Sequence, residues 1–377
     1  MTQPGFFDVD ERLAALSAAG DPLEQLGAVV DFELFRAVLD AALARSDRSR
    51  GGRPPYDVVL MFKVLVLQAL YSLSDDAAEF QVRDRLSFMR FLGLGLGDRA
   101  PDAKTIWLFR EQLVRAGAMD KLFERFDAAL HDAGYLAMGG ACQEGSGDAQ
   151  HRWKAGGGGQ IIDATVVAAP RQKLTDDEKA VVRGGGTPPG WSKAKRRQKD
   201  LDARWTIKRG RSKRSEASEM KATGVEIAVP VFGYKNHAGI DRRHGLIRRW
   251  TVTSAAAHDS RPFEGLLDPK NTASKVWADT AYRSAKNEAA MAKRGRISMV
   301  HYRKPKGQPL PASHAKANAA RSAVRSAVEH VFAGQKHRMK LVVRTIGLAR
   351  AEVKIGMANL AYNFTRVAWL NARAAPV

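Results

Sequence analysis

One cysteine, Cys142, stands in the whole sequence, so the chain can form no internal disulfide and no cysteine-based zinc site. Long apolar runs are missing as well. The longest, Val58 to Leu67, is interrupted by Lys63 and falls short of the ~20 residues that cross a bilayer, which makes it a core helix. Met1 to Arg12 is mixed and acidic, with no charged-then-apolar export signal, so a cytoplasmic protein is expected. Acids are also scarce: 40 aspartates and glutamates face 61 lysines and arginines, a formal net charge of +21. That imbalance attracts polyanions, with nucleic acid the leading partner and a membrane surface its rival.

What is present supports real cores. Hydrophobic residues make up 45% of 377 positions, enough for two or three domains. Residues 1 to about 137 read as helix after helix. Phe32 to Ala44 has helical spacing, and Asp57, after the break at Gly51-Gly52-Arg53-Pro54-Pro55, caps a helix from Val58 to Tyr71. Ser74 caps the next; Leu86 to Leu92 stops at Gly93, Asp102 opens a helix that ends at Gly117, and Asp120 begins one that runs to Gly134. Short helices at sharp turns, with Arg50, Arg53, Lys63, Arg83, Arg85, Arg90, Arg99, Lys104 and Arg110 spread among them, suit a module that docks on DNA; ordinary solvated helix faces are the plainer reading.

Residues 139–159, with a run of four glycines at the end, read as a linker. Gln160 to Val167 follows, a β-rich apolar run with Asp163 in its middle. A carboxylate in a buried strand is costly unless it meets a cation, a metal or a solvent cleft. The next stretch, 171–201, has clustered glycines, prolines, lysines and arginines and is expected to be a flexible, phosphate-seeking segment. Strands are then expected at 203–208, 225–234, 237–241 and 245–253, an antiparallel meander. Ser274 to Asp279 repeats the first theme, an apolar strand ending on an acid, and Ile297 to His301 is a further short strand. Helical patterns cover about 315–334 and 349–370.

In the first of these helices Val324, Val328, Val331 and Phe332 share a buried face, and Arg325, Glu329 and Lys336, spaced by four and seven, share a second stripe beside it. The plain reading of that stripe is an Arg325–Glu329 ion pair worth a few tenths of a kcal/mol. The more specific reading joins Glu329 to Asp163 and Asp279 as three carboxylates. Such a set suits two Mg²⁺ ions, with Mn²⁺ as a substitute, because Mg²⁺ prefers carboxylate and water oxygens and keeps positions for phosphate. Two cations can stabilise both the attacking and the leaving oxygen of a phosphodiester displacement.

Several stretches resemble the DDE transposases of bacterial insertion sequences, in the group named after insertion sequence five. They are Gly52-Arg53-Pro54-Pro55-Tyr56-Asp57, Asp84-Arg85-Leu86-Ser87-Phe88, Gly159-Gln160-Ile161-Ile162-Asp163-Ala164-Thr165, Phe232-Gly233-Tyr234-Lys235-Asn236-His237, Ala278-Asp279-Thr280-Ala281-Tyr282-Arg283 and Glu329-His330-Val331-Phe332. The family signature of Tyr, two residues, Arg, three residues, Glu, six residues, Lys is met at Arg325, Glu329 and Lys336, with Ser322 in the Tyr position.

The resemblance implies a mixed α/β (α+β) chain. An all-α DNA-binding module (1–138) precedes the linker, and a ribonuclease-H-like mixed-sheet catalytic domain (160–377) follows it. Asp163, Asp279 and Glu329 are its catalytic metal ligands, and Arg325, Lys336, Lys235, Arg283 and Arg53 its DNA contacts. The implied partners are double-stranded DNA, as terminal inverted repeats and as target, and a second copy of the chain on paired ends, in a nucleoid-associated setting. Stretches 140–157 and 214–228 look inserted. His258-Asp259-Ser260 resembles a recurring family tripeptide, and a turn-capping role is expected for Asp259 over a metal-binding one. His237 and His330 are expected to be hydrogen-bonded core residues, while Trp191, Trp205 and Trp250 could stack on bases or simply pack. A nuclease that only hydrolyses and a catalytically silent DNA-binding relative are the rival readings.

Overall fold

The computed structural model describes residues 8–43, 54–135, 158–211 and 226–374. Arg50, Arg53, Cys142, most of the linker and most of the second inserted stretch lie outside them. The N-terminal part is helical: α1 (Asp8–Ala18), α2 (Pro22–Val29), α3 (Arg36–Ala42), α4 (Val58–Tyr71), α5 (Asp75–Asp84), α6 (Leu86–Leu92), α7 (Ala103–Ala116) and α8 (Met119–Asp132). Their ends follow local chemistry. Asp57 accepts from the amides of Val59 and Leu60, Ser74 from Ala77 and Asp102 from Thr105, which satisfies otherwise orphaned donors. Gly93 and Gly117 close α6 and α7 in the left-handed region.

The remaining elements alternate. They run β1 (Gln160–Ala168), α9 (Asp176–Arg183), α10 (Lys193–Gln198), β2 (Arg204–Arg211), β3 (Glu226–Asp241), β4 (Ile247–Ser254), α11 (Phe263–Leu266), β5 (Lys275–Trp277), α12 (Ala285–Lys293), β6 (Ile297–Ser298), α13 (Ala312–Ala333) and α14 (Leu348–Ala374). The six strands form one mixed sheet. β1 runs antiparallel to β3, from Gln160 opposite Asp241 to Ala168 opposite Gly233. Its other edge runs parallel to β5, where Ile161 faces Trp277, and β6 continues the parallel half. β2 and β4 pair antiparallel with β3.

One hydrophobic core runs from the N-terminal helices into one face of the sheet, taking in Phe35, Phe62, Leu122, Ile161, Tyr234, Val328, Leu360 and Phe364. The C-terminal helix makes that continuity: Phe364 of α14 meets the rings of Phe32, Phe35 and Phe126 at centroid distances of 5.5, 5.8 and 4.7 Å. A smaller core on the other face holds Ile162, Phe263, Leu266, Val276, Ala278, Tyr282 and Met291.

Two expectations change. Residues 171–201 contain α9 and α10, because Thr175 and Glu178 make a reciprocal capping box and Glu178 also binds the Trp191 indole and Lys195 at 2.7 and 2.6 Å. The two strands expected at 225–234 and 237–241 are one. Tyr234-Lys235-Asn236 looked like a break because it is polar, but Asn236 is buried and bonds Gln335 and Asn359 at 3.1 and 2.8 Å. Among the described residues, no single helix is long and apolar enough to cross a membrane.

Candidate active site

Asp163 is placed by the middle of β1. Continuing the parallel register of Ile161 with Trp277 by two residues brings Asp163 level with Asp279, just past the end of β5. There Asp279 accepts from the amide of Ala281 at 2.8 Å, capping the short 3₁₀ turn Thr280–Tyr282. The carboxylate therefore ends its strand and starts the next turn at once, which fixes its direction.

Helix α13 lies against β1 and supplies the third element. Arg325 Nη1 binds Asp163 Oδ2 at 2.5 Å, and its Nη2 binds Glu329 Oε1 at 3.2 Å. The intrahelical ion pair is present, and the same guanidinium reaches across to the strand. Glu329 stays outward, its side chain 62% exposed against 14% for Asp163. Lys336 follows on a π-helical turn, Gly334–Arg338, half-buried and within electrostatic range of Asp163. Its pKa is lowered by burial and by Lys208.

The acids crowd one another. Burial raises the Asp163 carboxyl from its ordinary value to about 6 in spite of Arg325, and Asp279 and Asp259 add to the rise. The sign for stability follows. Between its ordinary pKa and about 6, folded Asp163 keeps a proton that the unfolded chain has lost. Stability is then fully present below about 4 and is lost as pH rises through 6. In chelator the loss is on the order of 3 kcal/mol. Asp163→Asn mimics the neutral acid and should remove it. Urea unfolding of both proteins at pH 5 and pH 8 checks this: the variant should gain stability over the wild type at pH 8, and a variant less stable at both pH values would contradict it.

The other expected DNA contacts are bound within the protein. Lys235 Nζ sits 2.8 Å from Asp259 Oδ1 and donates to the Ala257 carbonyl at 2.7 Å, with its side chain only 13% exposed. Arg283 donates to the carbonyls of His301 and Val300 and covers the Tyr302 ring. Among the scattered cations, Arg90 binds Asp21, Arg110 binds Asp75 and Lys63 lies against Phe32 and Phe91. His237 is fully buried on the Thr253 hydroxyl, its pKa lowered by burial to about 4. Trp250 packs on Phe123, Trp191 binds Glu178, and Trp205, stacked on Phe232, remains partly exposed.

Asp259 differs from expectation. The turn amide of Ser260 is accepted by His258 Nδ1 at 3.3 Å, while Asp259 turns to Lys235 and stands within electrostatic range of Asp163 and Tyr282. Its nearness depends on the long-range register of β3 beside β1, which no local pattern reports.

Among the described residues no three acid, His or Cys side chains converge tightly enough to hold a metal ion as they stand. Arg325 and Lys235 take oxygens of Asp163 and Asp259 that would otherwise point inward. The donor set of carboxylate oxygens nonetheless has the chemistry a hard divalent cation requires.

A mixed sheet with aspartates at the ends of adjacent parallel strands, overlaid by a helix carrying Arg and Glu, has the ribonuclease-H-like arrangement of the DDE class. The chain belongs to the DDE transposase family: residues 154–364 match the family described as Transposase DDE domain. Residues 11–112 match a second, described as Transposase domain (DUF772). No solved structure matches the chain.

Proposed function

We propose that this protein is an active transposase of the group named after insertion sequence five. It binds the terminal inverted repeats of its own element, cuts phosphodiester bonds there and joins the freed 3′-OH ends to target DNA, as a homodimer on paired ends. The observation that carries the reading is the placement of Asp163 and Asp279 side by side beneath the Arg325–Glu329 pair of α13.

Each residue then has a task. Asp163 and Asp279 hold the inner cation; Glu329, exposed and tied only to Arg325, is free to turn toward a second one. Two divalent cations supply neutralisation of charge on the attacking and leaving oxygens. Arg325 neutralises Asp163 in the metal-free chain, and on moving off it becomes a donor for the phosphate, a task that suits the planar guanidinium fork. Lys336, kept close by the π turn, adds positive charge beside the same strand. The net charge of +21 supplies the general attraction to DNA, which falls as salt rises.

The test uses the full chain, because α14 is part of the core of the N-terminal helices. Linear DNA carrying the inverted repeats that flank its gene is incubated with supercoiled plasmid and Mg²⁺. End cleavage and joining to the plasmid are expected, and both should stop in chelator. Hydrolysis without joining would leave only a nuclease, and sequence-preferring binding without cleavage would leave a silent relative.

A further inference from the structure

Three buried tyrosines invite comparison. Tyr234 donates its hydroxyl to Asp200 at 2.6 Å and Tyr362 donates to the Gly245 carbonyl at 3.1 Å. Tyr282 is fully buried, its ring 5.7 Å from that of Phe263 in the smaller core, yet its hydroxyl has no hydrogen-bond partner. Phenylalanine would fill the same space without an orphaned polar atom, and orphaned buried groups are uncommon because they are costly. This hydroxyl also has a particular setting. Asp163, Asp259 and Asp279 are the charges that bear on it, with Arg325 behind them.

Asp259 reaches this place by a defined route. It follows β4 on a turn held by the Ser254–Ala257 and His258–Arg261 backbone bonds. Lys235 of β3, anchored on the Ala257 carbonyl, holds one of its oxygens. Lys235 lies opposite Val166, three residues beyond Asp163 on β1. Two resident cations, Arg325 and Lys235, thus stand between three aspartates.

We propose that Asp259 is a third aspartate of the divalent-cation site, beside Asp163 and Asp279, and that the Tyr282 hydroxyl donates a hydrogen bond to a water held by that cation. The inference rests on the two-aspartate reading above and adds two residues to it. A cation at this place gives the Tyr282 hydroxyl the oxygen acceptor that the protein itself does not provide. Lys235 then acts as a positioning residue, keeping Asp259 turned toward the site.

The experiment is Mn²⁺ binding to the full chain without DNA, followed through the electron paramagnetic resonance signal of free Mn²⁺, beside thermal unfolding in chelator. Tyr282→Phe should weaken Mn²⁺ about tenfold or more, as removal of outer-shell partners does, without lowering the metal-free Tm. Asp259→Asn should weaken it at least as much. That change also strands Lys235, so Lys235→Met/Asp259→Asn is measured with it; the double variant should regain Tm and keep the loss of affinity.

Wild-type affinity in Tyr282→Phe and in the double variant would overturn the inference. Asp163→Asn separates the layers. If it abolishes uptake while the Tyr282 and Asp259 variants do not, only this inference fails; if it too binds normally, or the wild-type chain takes up no Mn²⁺, the two-aspartate reading fails with it.

Discussion

Asp163→Asn is expected to cut strand cleavage at the inverted repeats on the order of a thousandfold or more while leaving binding to the same DNA intact. The size follows from charge. Losing one well-placed cation forfeits several kcal/mol of transition-state stabilisation, and each 1.36 kcal/mol is tenfold in rate. Asp163 is the acid on which the site converges: Arg325 binds it at 2.5 Å, Asp279 is level with it across the parallel pair, and Lys336 lies within its field. Asp279→Asn and Glu329→Gln should act in the same direction. A single-turnover cleavage assay with Mg²⁺, run beside a gel shift, reads both quantities, and near-normal cutting by the Asn variant would end the assignment. The stability expected of the same variant sharpens the argument, since a protein that becomes more stable at pH 8 and loses cutting has lost chemistry rather than fold.

Much of this site was legible in the sequence for a simple reason. A charged residue inside a run such as Ile161-Ile162-Asp163-Ala164 contradicts its surroundings, and the contradiction marks function. Asp279 repeats it at the end of a second apolar strand. The spacing of Arg325 and Glu329 also predicts that they meet, and they do; what spacing does not report is that Arg325 has a second partner on β1. Helix limits were legible where caps are local. Val58–Tyr71 and Leu86–Leu92 fall where Asp57 and Gly93 put them.

The rest depends on contacts distant in sequence. Arg90 and Arg110 look like DNA contacts until the fold brings Asp21 and Asp75 to them. The polar centre of β3 looks like a loop until Gln335 and Asn359 arrive from elements more than ninety residues away. Asp259 and Tyr282 carry no local sign of their neighbourhood at all. Both are brought to Asp163 by strand register, and a strand's pattern tells which face a residue takes but not which strand lies beside it. The shared core is hidden likewise: the apolar stripe of α14 shows that the helix is buried, not that Phe364 is buried against Phe32, Phe35 and Phe126.

Gly159, counted with the linker on composition, belongs to the site's framework, and its replacement by alanine should be among the most damaging single changes to the fold. It precedes β1 with φ at +146°, where a Cβ would lie 2.3 Å from the Trp277 ring and 2.8 Å from the Lys275 carbonyl oxygen. A ring can turn, but a backbone carbonyl cannot move without shifting β5. The Gly159 carbonyl also accepts from the Arg242 amide and the Asn271 side chain, at 2.9 and 3.1 Å, so β1 cannot simply slide away. The backbone conformation alone costs about 1–3 kcal/mol for a residue with a Cβ. With overpacking the total should reach about 3–5 kcal/mol, enough to unfold much of a marginally stable chain. Where the variant survives, β5 must move off β1, and Asp279 moves with it, away from Asp163. Urea unfolding of Gly159→Ala should therefore show a midpoint far below wild type, and the folded fraction at low temperature should bind Mn²⁺ more weakly. A variant with the wild-type midpoint and wild-type Mn²⁺ affinity would mean that the close approach of β1 to β5 does not fix the distance between the two aspartates.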